Sequence, residues 1–72
     1  MVRADSVRAG DKFFNEDGLL VWTAVEDAHQ TQDRGKEYIG IQVRHSDGGR
    51  ETRLFDLDVQ WKNGHIRRAH GD

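Results

Sequence analysis

Apolar and polar residues alternate through much of this chain. Three short glycine-bearing sequences interrupt the alternation: Asp17-Gly18, Asp47-Gly48-Gly49 and Asn63-Gly64. Glycine supplies the positive φ that tight hairpin turns demand, so the pattern predicts consecutive antiparallel β-hairpins. The cleanest alternation runs from Glu37 to His45. Ile39, Ile41 and Val43 point one way and form the expected core, while Tyr38, Gly40, Gln42 and Arg44 point the other. Gly40 inside this run predicts a bulge, a bend or a close backbone approach. Leu19 to Val25 carries apolar bulk on both faces. Its β-branched and aromatic members Val21, Trp22, Thr23 and Val25 favour a strand over a helix reaching Gln32.

The remaining segments are shorter or more polar. Lys12 to Asn15 reads as a short strand before the first turn, and Glu26 to Lys36 as an extended hairpin tip or a mobile loop. Arg50 to Phe55 returns from the second turn. The apolar phase then moves from Thr52 and Leu54 to Phe55, Leu57 and Val59, which predicts a kink or one helical turn near Phe55-Asp56-Leu57. A two-residue loop at Asn63-Gly64 pairs Lys62 with His65, Trp61 with Ile66 and Gln60 with Arg67. Residues 1–9 are weakly patterned and read as a flexible or partly ordered arm, with one helical turn at Ser6 to Arg8 as the option. Residues 10–68 read as a single β domain and 69–72 as a disordered tail. Five or six short strands in 72 residues make the expected fold all-β, a small antiparallel barrel or curled sheet.

The opening Val7-x-Ala-Gly-Asp-x-Phe, the Gly18 turn, the apolar strand ending near Val25, and the pair Tyr38-Ile39-Gly40-Ile41 and Arg53-Leu54-Phe55 carry a likeness. Over roughly Val7 to Trp61 the chain resembles Src-homology-3-like barrels, including the KOW and Tudor types. The resemblance implies a barrel architecture. It implies no ligand, since neither the acidic-aromatic pattern of the peptide-binding groove nor the KOW sequence core is present.

Composition narrows the function. A chain this short has little room for a deep pocket. It has no cysteine, which removes disulfides and thiolate-held metals as staples. No apolar run approaches the roughly 20 residues of a membrane span and no signal-peptide core opens the chain, so the expectation is a cytoplasmic protein away from membranes. The net charge of −2 argues against a generic nucleic-acid binder. The sign is unevenly spread. Asp11 to Asp33 holds six acids and one lysine, Arg34 to Arg53 five bases and three acids, and Lys62 to Asp72 three bases and one acid.

Catalytic patterns are weak. His29, His45, His65 and His70 form no pair at ligand spacing, although His45 and His65 could meet on neighbouring strands. Asp56 and Asp58 share a strand face and read either as a carboxylate pair or as local caps of a kink. Ser46 adjoins His45, but strand neighbours point to opposite faces. The expectation is a non-enzyme without cofactor or metal. The aromatics say more. Tyr38, out of phase with the core triplet, and Trp61 are the ones expected to stay partly exposed.

Two partners follow. The first is another protein, met in a regulatory or assembly role through Tyr38, Gln42 and Arg44 together with the acidic Glu26, Asp27 and Asp33. The alternative is nucleic acid, with Trp61 stacking on a base while Lys62, Arg67, Arg68, Arg44 and Arg53 contact phosphates. Exposed strand edges could also pair with a second copy or a host strand.

Overall fold

The computed structural model describes residues 1–69. In chain order the strands are β1 (Val2–Arg3), β2 (Lys12–Phe14), β3 (Leu20–Ala24), β4 (His29–Asp33), β5 (Lys36–His45), β6 (Arg50–Phe55), β7 (Gln60–Trp61) and β8 (Ile66–Arg67), with 3-10 turns at Ala4–Ser6 and Asn63–His65. Every pairing is antiparallel. The longest strand, β5, organises the rest. Its residues Ile39 and Gly40 pair with both β4 and β6, and Val43 and Arg44 with both β3 and β6. β4 and β3 therefore share one edge of β5, and β6 takes the other. The six-stranded sheet continues from β3 through β2 to β8, while β1 and β7 form a separate two-stranded sheet.

The first two turns fold as their sequences dictate. At each, an amide donates back across a three-residue loop, Asn15 to Leu19 and His45 to Gly49. The loop's last glycine takes a positive φ, 79° at Gly18 and 99° at Gly48. This is a type I turn closed by a glycine bulge. Asn15 Oδ1 accepts the amides of Asp17 and Leu19 and locks the first one.

Of the two readings of Glu26 to Lys36, the extended hairpin tip is the one found: β4 occupies His29–Asp33, and a two-residue turn at Arg34-Gly35 joins it to β5. Both turn residues have positive φ, 52° and 81°, the backbone that a right-twisted hairpin prefers. Asn63-Gly64 closes no hairpin. It forms the second 3-10 turn, after which β7 pairs with β1 and β8 with β2, so Trp61 lies opposite Val2 and Ile66 opposite Phe13. Tertiary pairing overrides the local turn signal there. Residues 1–9 are built in rather than frayed, since Val2, Ala4 and Val7 are buried in the core, and the helical turn falls at Ala4–Ser6. The antiparallel all-β architecture is as expected; among the described residues no closed barrel is found, and β1 and β7 pair apart from the six-stranded sheet. The expected tail falls mostly on residues 70–72, which lie outside the described residues.

Core packing follows the alternation. Ile39, Ile41 and Val43 are at most 4% exposed, and they join Trp22, Ala24, Ile66, Val2, Ala4 and Val7. Phe13 stacks on Trp22 at 5.3 Å, and Trp61 meets Phe55, Phe13 and Trp22 edge-on at 5.0, 5.6 and 6.0 Å. At the expected kink after Phe55, the Val59 amide donates to the Asp56 carbonyl and the chain turns.

One buried charge ties the two ends of the chain together. Asp11 is 1% exposed. Its Oδ2 accepts the Arg8 amide at 3.0 Å and Arg68 Nη1 at 3.1 Å, and its Oδ1 accepts the Ala69 amide at 2.9 Å. Arg68 also donates to the Ser6 carbonyl at 2.7 Å and to Ser6 Oγ at 2.9 Å. Asp11→Ala removes the acceptor for three donors at once. It is expected to lower unfolding free energy by about 3 kcal/mol, most of the stability of a domain on the order of 5 kcal/mol. Urea denaturation followed by tryptophan fluorescence checks this.

Candidate interaction surface

Because Ile39, Ile41 and Val43 face the core, the intervening residues of β5 face away from it: Lys36, Tyr38, Gly40, Gln42 and Arg44. Directly opposed residues of an antiparallel pair lie on one face. The register therefore brings His29 and Thr31 from β4, and Arg50, Thr52 and Leu54 from β6, onto the same outer face. Gly40 is a close-approach position, as its place in the strand suggests. A Cβ there would sit 3.2 Å from the His29 imidazole and 3.3 Å from the Thr31 methyl.

Following the register across the sheet reveals a charge pattern. Arg67 on β8 opposes Lys12 on β2, Lys12 opposes Thr23 on β3, Thr23 opposes Arg44 on β5, and Arg44 opposes Arg50 on β6. Four bases and one threonine thus form a single row at right angles to the strands. Five strands at the usual spacing make the row about 19 Å long. Among the described residues none of the four bases has a salt-bridge partner. Of the three carboxylates carried by strands, Glu37 and Glu51 alternate to the other face, and Asp33 stands at the β4–β5 tip, well away from the row.

The row includes two directly opposed like-charge pairs, Lys12 with Arg67 and Arg44 with Arg50. Such pairs are destabilising by a few tenths of a kcal/mol each, up to about 1 kcal/mol. Among the described residues neither Arg44 nor Arg50 has a salt-bridge or cation–π partner. At the β8 end the Arg67 guanidinium lies over the Phe14 ring, 5.1 Å from its centroid. An open groove of about 740 Å³ adjoins it, with Phe14, Ile66 and Arg67 on its wall.

The expected protein-binding set is only partly gathered. Tyr38 and Gln42, both half-buried, and the exposed Arg44 share the outer face, with Asp33 at its tip. Lys36 Nζ sits 5.3 Å above the Tyr38 ring and 3.3 Å from Asp56 Oδ1. Glu26 and Asp27 lie elsewhere, in the connection after β3. Asp27 Oδ1 accepts the Ala9 amide at 2.9 Å, and the residue lines a separate cleft of about 360 Å³ beside Asp5 and Asp11.

The nucleic-acid set divides as well. Arg67 and Arg44 stand on the row. Arg53 alternates to the inner side of β6, opposite Ile41, with its guanidinium 5.6 Å from the Phe55 centroid. Trp61 is half-buried in the aromatic cluster, Lys62 is exposed beside the second 3-10 turn, and Arg68 is held by Asp11 and Ser6.

Sequence reasoning missed Lys12 and Arg50. Arg50 carried a usable signal, because it and Arg44 are equally spaced about the Asp47 turn. Lys12 carried none, since only the β2–β3 and β2–β8 registers place it. His45 and His65 do not form a site. His45 pairs with Glu51, and His65 meets the Phe13 ring edge-on at 5.9 Å. Among the described residues no group of three or more His, Asp or Glu is placed to hold a metal ion, and no helix is long and apolar enough to cross a membrane.

Comparison with known proteins gives no matching family model, no significantly similar curated protein and no significantly similar solved structure. The outer face is therefore read from its own chemistry.

Two outcomes follow from this placement. Arg50→Glu turns a repulsive cross-strand pair into an attractive one, so the thermal midpoint is expected to rise, by roughly 0.5 kcal/mol in stability. Added salt should narrow the difference from the native chain. Trp61→Ala opens the half-buried aromatic cluster and is expected to cost about 2 kcal/mol, read as a lower urea midpoint. An unchanged midpoint would show that the indole does not support the fold.

Proposed function

We propose that this protein is a non-catalytic binding module that engages an anionic partner through the outer face of its six-stranded sheet. The observation that carries the reading is the row Arg67–Lys12–Thr23–Arg44–Arg50. Opposed like charges weaken a sheet, and two such pairs aligned in one row fit a surface whose repulsion is relieved when a partner binds. Tyr38 and Gln42 extend the same face and add an aromatic ring and an amide for a regulatory or assembly contact. The small antiparallel sheets support a likeness in architecture to Src-homology-3-like domains.

The reading is tested by backbone chemical-shift titration with two soluble probes, a short polyglutamate peptide and a short oligonucleotide. Shifts are expected to concentrate at Lys12, Thr23, Arg44, Arg50 and Arg67, and to vanish in the Arg44→Glu, Arg50→Glu double variant. Shifts centred on Asp27 and Asp5, or on Trp61 and Arg53, would move the working surface elsewhere and defeat the proposal.

A further inference from the structure

We infer that the partner of this face is a single strand of nucleic acid, lying across the β-strands with its phosphates along the basic row. The inference rests on the outer face being the working surface. Its particular content comes from three features of the row: its width, its residue types and its end.

The strip is one residue wide. The outer-face positions next to it along the strands are uncharged: Val21 on β3, Gln42 on β5 and Thr52 on β6. One phosphate backbone fits it. The second backbone of a duplex would find no base beside the strip. The same layout reconciles local attraction for a polyanion with a net charge of −2.

The residue types point the same way. Three of the four bases are arginines, whose planar fork meets two phosphate oxygens at once. At the β8 end the Arg67 guanidinium lies over the Phe14 ring, 5.1 Å from its centroid, beside the open groove. A guanidinium held against an aromatic ring offers a platform to a nucleobase. An acidic polypeptide could neutralise the row, but it brings no planar group to that platform.

The test is fluorescence anisotropy with a labelled oligothymidylate of about 12 nucleotides, alongside the same sequence in duplex form and a labelled polyglutamate of equal charge. Salt is varied from about 50 to 200 mM. The native chain is expected to bind the single strand with a slope of log affinity against log salt near about −2.8, roughly 0.7 for each of four phosphates. The duplex is expected to bind at least about tenfold more weakly. In the Arg44→Glu, Arg50→Glu variant the slope should fall to about −1.4 or less, with affinity reduced about tenfold or more. Circular dichroism on the same variant confirms that it is folded. A Phe14→Leu variant should weaken binding of the single strand several-fold while leaving the salt slope unchanged.

Each contrary result is distinct. Tight, variant-sensitive binding of polyglutamate without binding of the oligonucleotide overturns the nucleic-acid assignment and leaves the working face intact. Duplex binding as tight as the single strand overturns the single-strand assignment. Oligonucleotide binding that the double variant does not weaken overturns the row itself as the site. No binding of any probe at about 50 mM salt overturns both this inference and the binding-face reading beneath it.

Discussion

The inward packing of Ile39, Ile41 and Val43 is the constraint on which the rest of the structure depends. Side chains alternate along a strand, so moving β5 by one residue against its neighbours would bury Tyr38, Gln42 and Arg44 and expose the triplet. The core triplet is at most 4% exposed, which makes such a slip very costly. β5 is also the strand that β3, β4 and β6 all read for their own registers. Fixing its phase therefore fixes which residues stand side by side on the opposite face. The basic row is a consequence of core packing on the other side of the same backbone.

The chain treats its charges in two contrasting ways. Asp11 is withdrawn from water, Arg68 is half-buried, and both are satisfied. Asp11 has three donors and Arg68 two further acceptors on Ser6, and among the described residues no buried side-chain polar atom lacks a partner. That cluster closes the structure by joining the loop before β2 to the segment after β8. Along the row on the outer face, the four bases have no salt-bridge partner among the described residues and are set against each other. A surface selected for stability alone would alternate signs across strands. The contrast separates the two arginines that follow one another near the end of the chain, since Arg68 belongs to the architecture and Arg67 to the surface.

Packing similarly sorts the aromatics. Trp61 resembles a binding residue in sequence, set beside Lys62 and near a basic segment. Its pairing opposite Val2 and its edge-on contacts with Phe13, Trp22 and Phe55 make it part of the seal between the two sheets. Phe14, adjacent to the buried-face Phe13, takes the outward position, where Arg67 covers it. Two neighbouring phenylalanines in a strand must divide between faces, and only the position of the core decides which is which.

The sequence by itself determined the local elements: the all-β class, the inward triplet of β5, the hairpin turns at Gly18 and Gly48, and the break after Phe55. These are legible because period-two alternation and positive-φ demands are carried by residues close together in the chain. Only the tertiary structure decided that Val2 pairs with Trp61, that Asn63-Gly64 makes a 3-10 turn, that the sheets stay open, that Asp11 meets Arg68 across 57 positions, and that Lys12, Arg44, Arg50 and Arg67 fall into line. Each of these depends on which strands adjoin and in what register. The burial of one common core sets that choice, and no stretch of neighbouring residues encodes it alone.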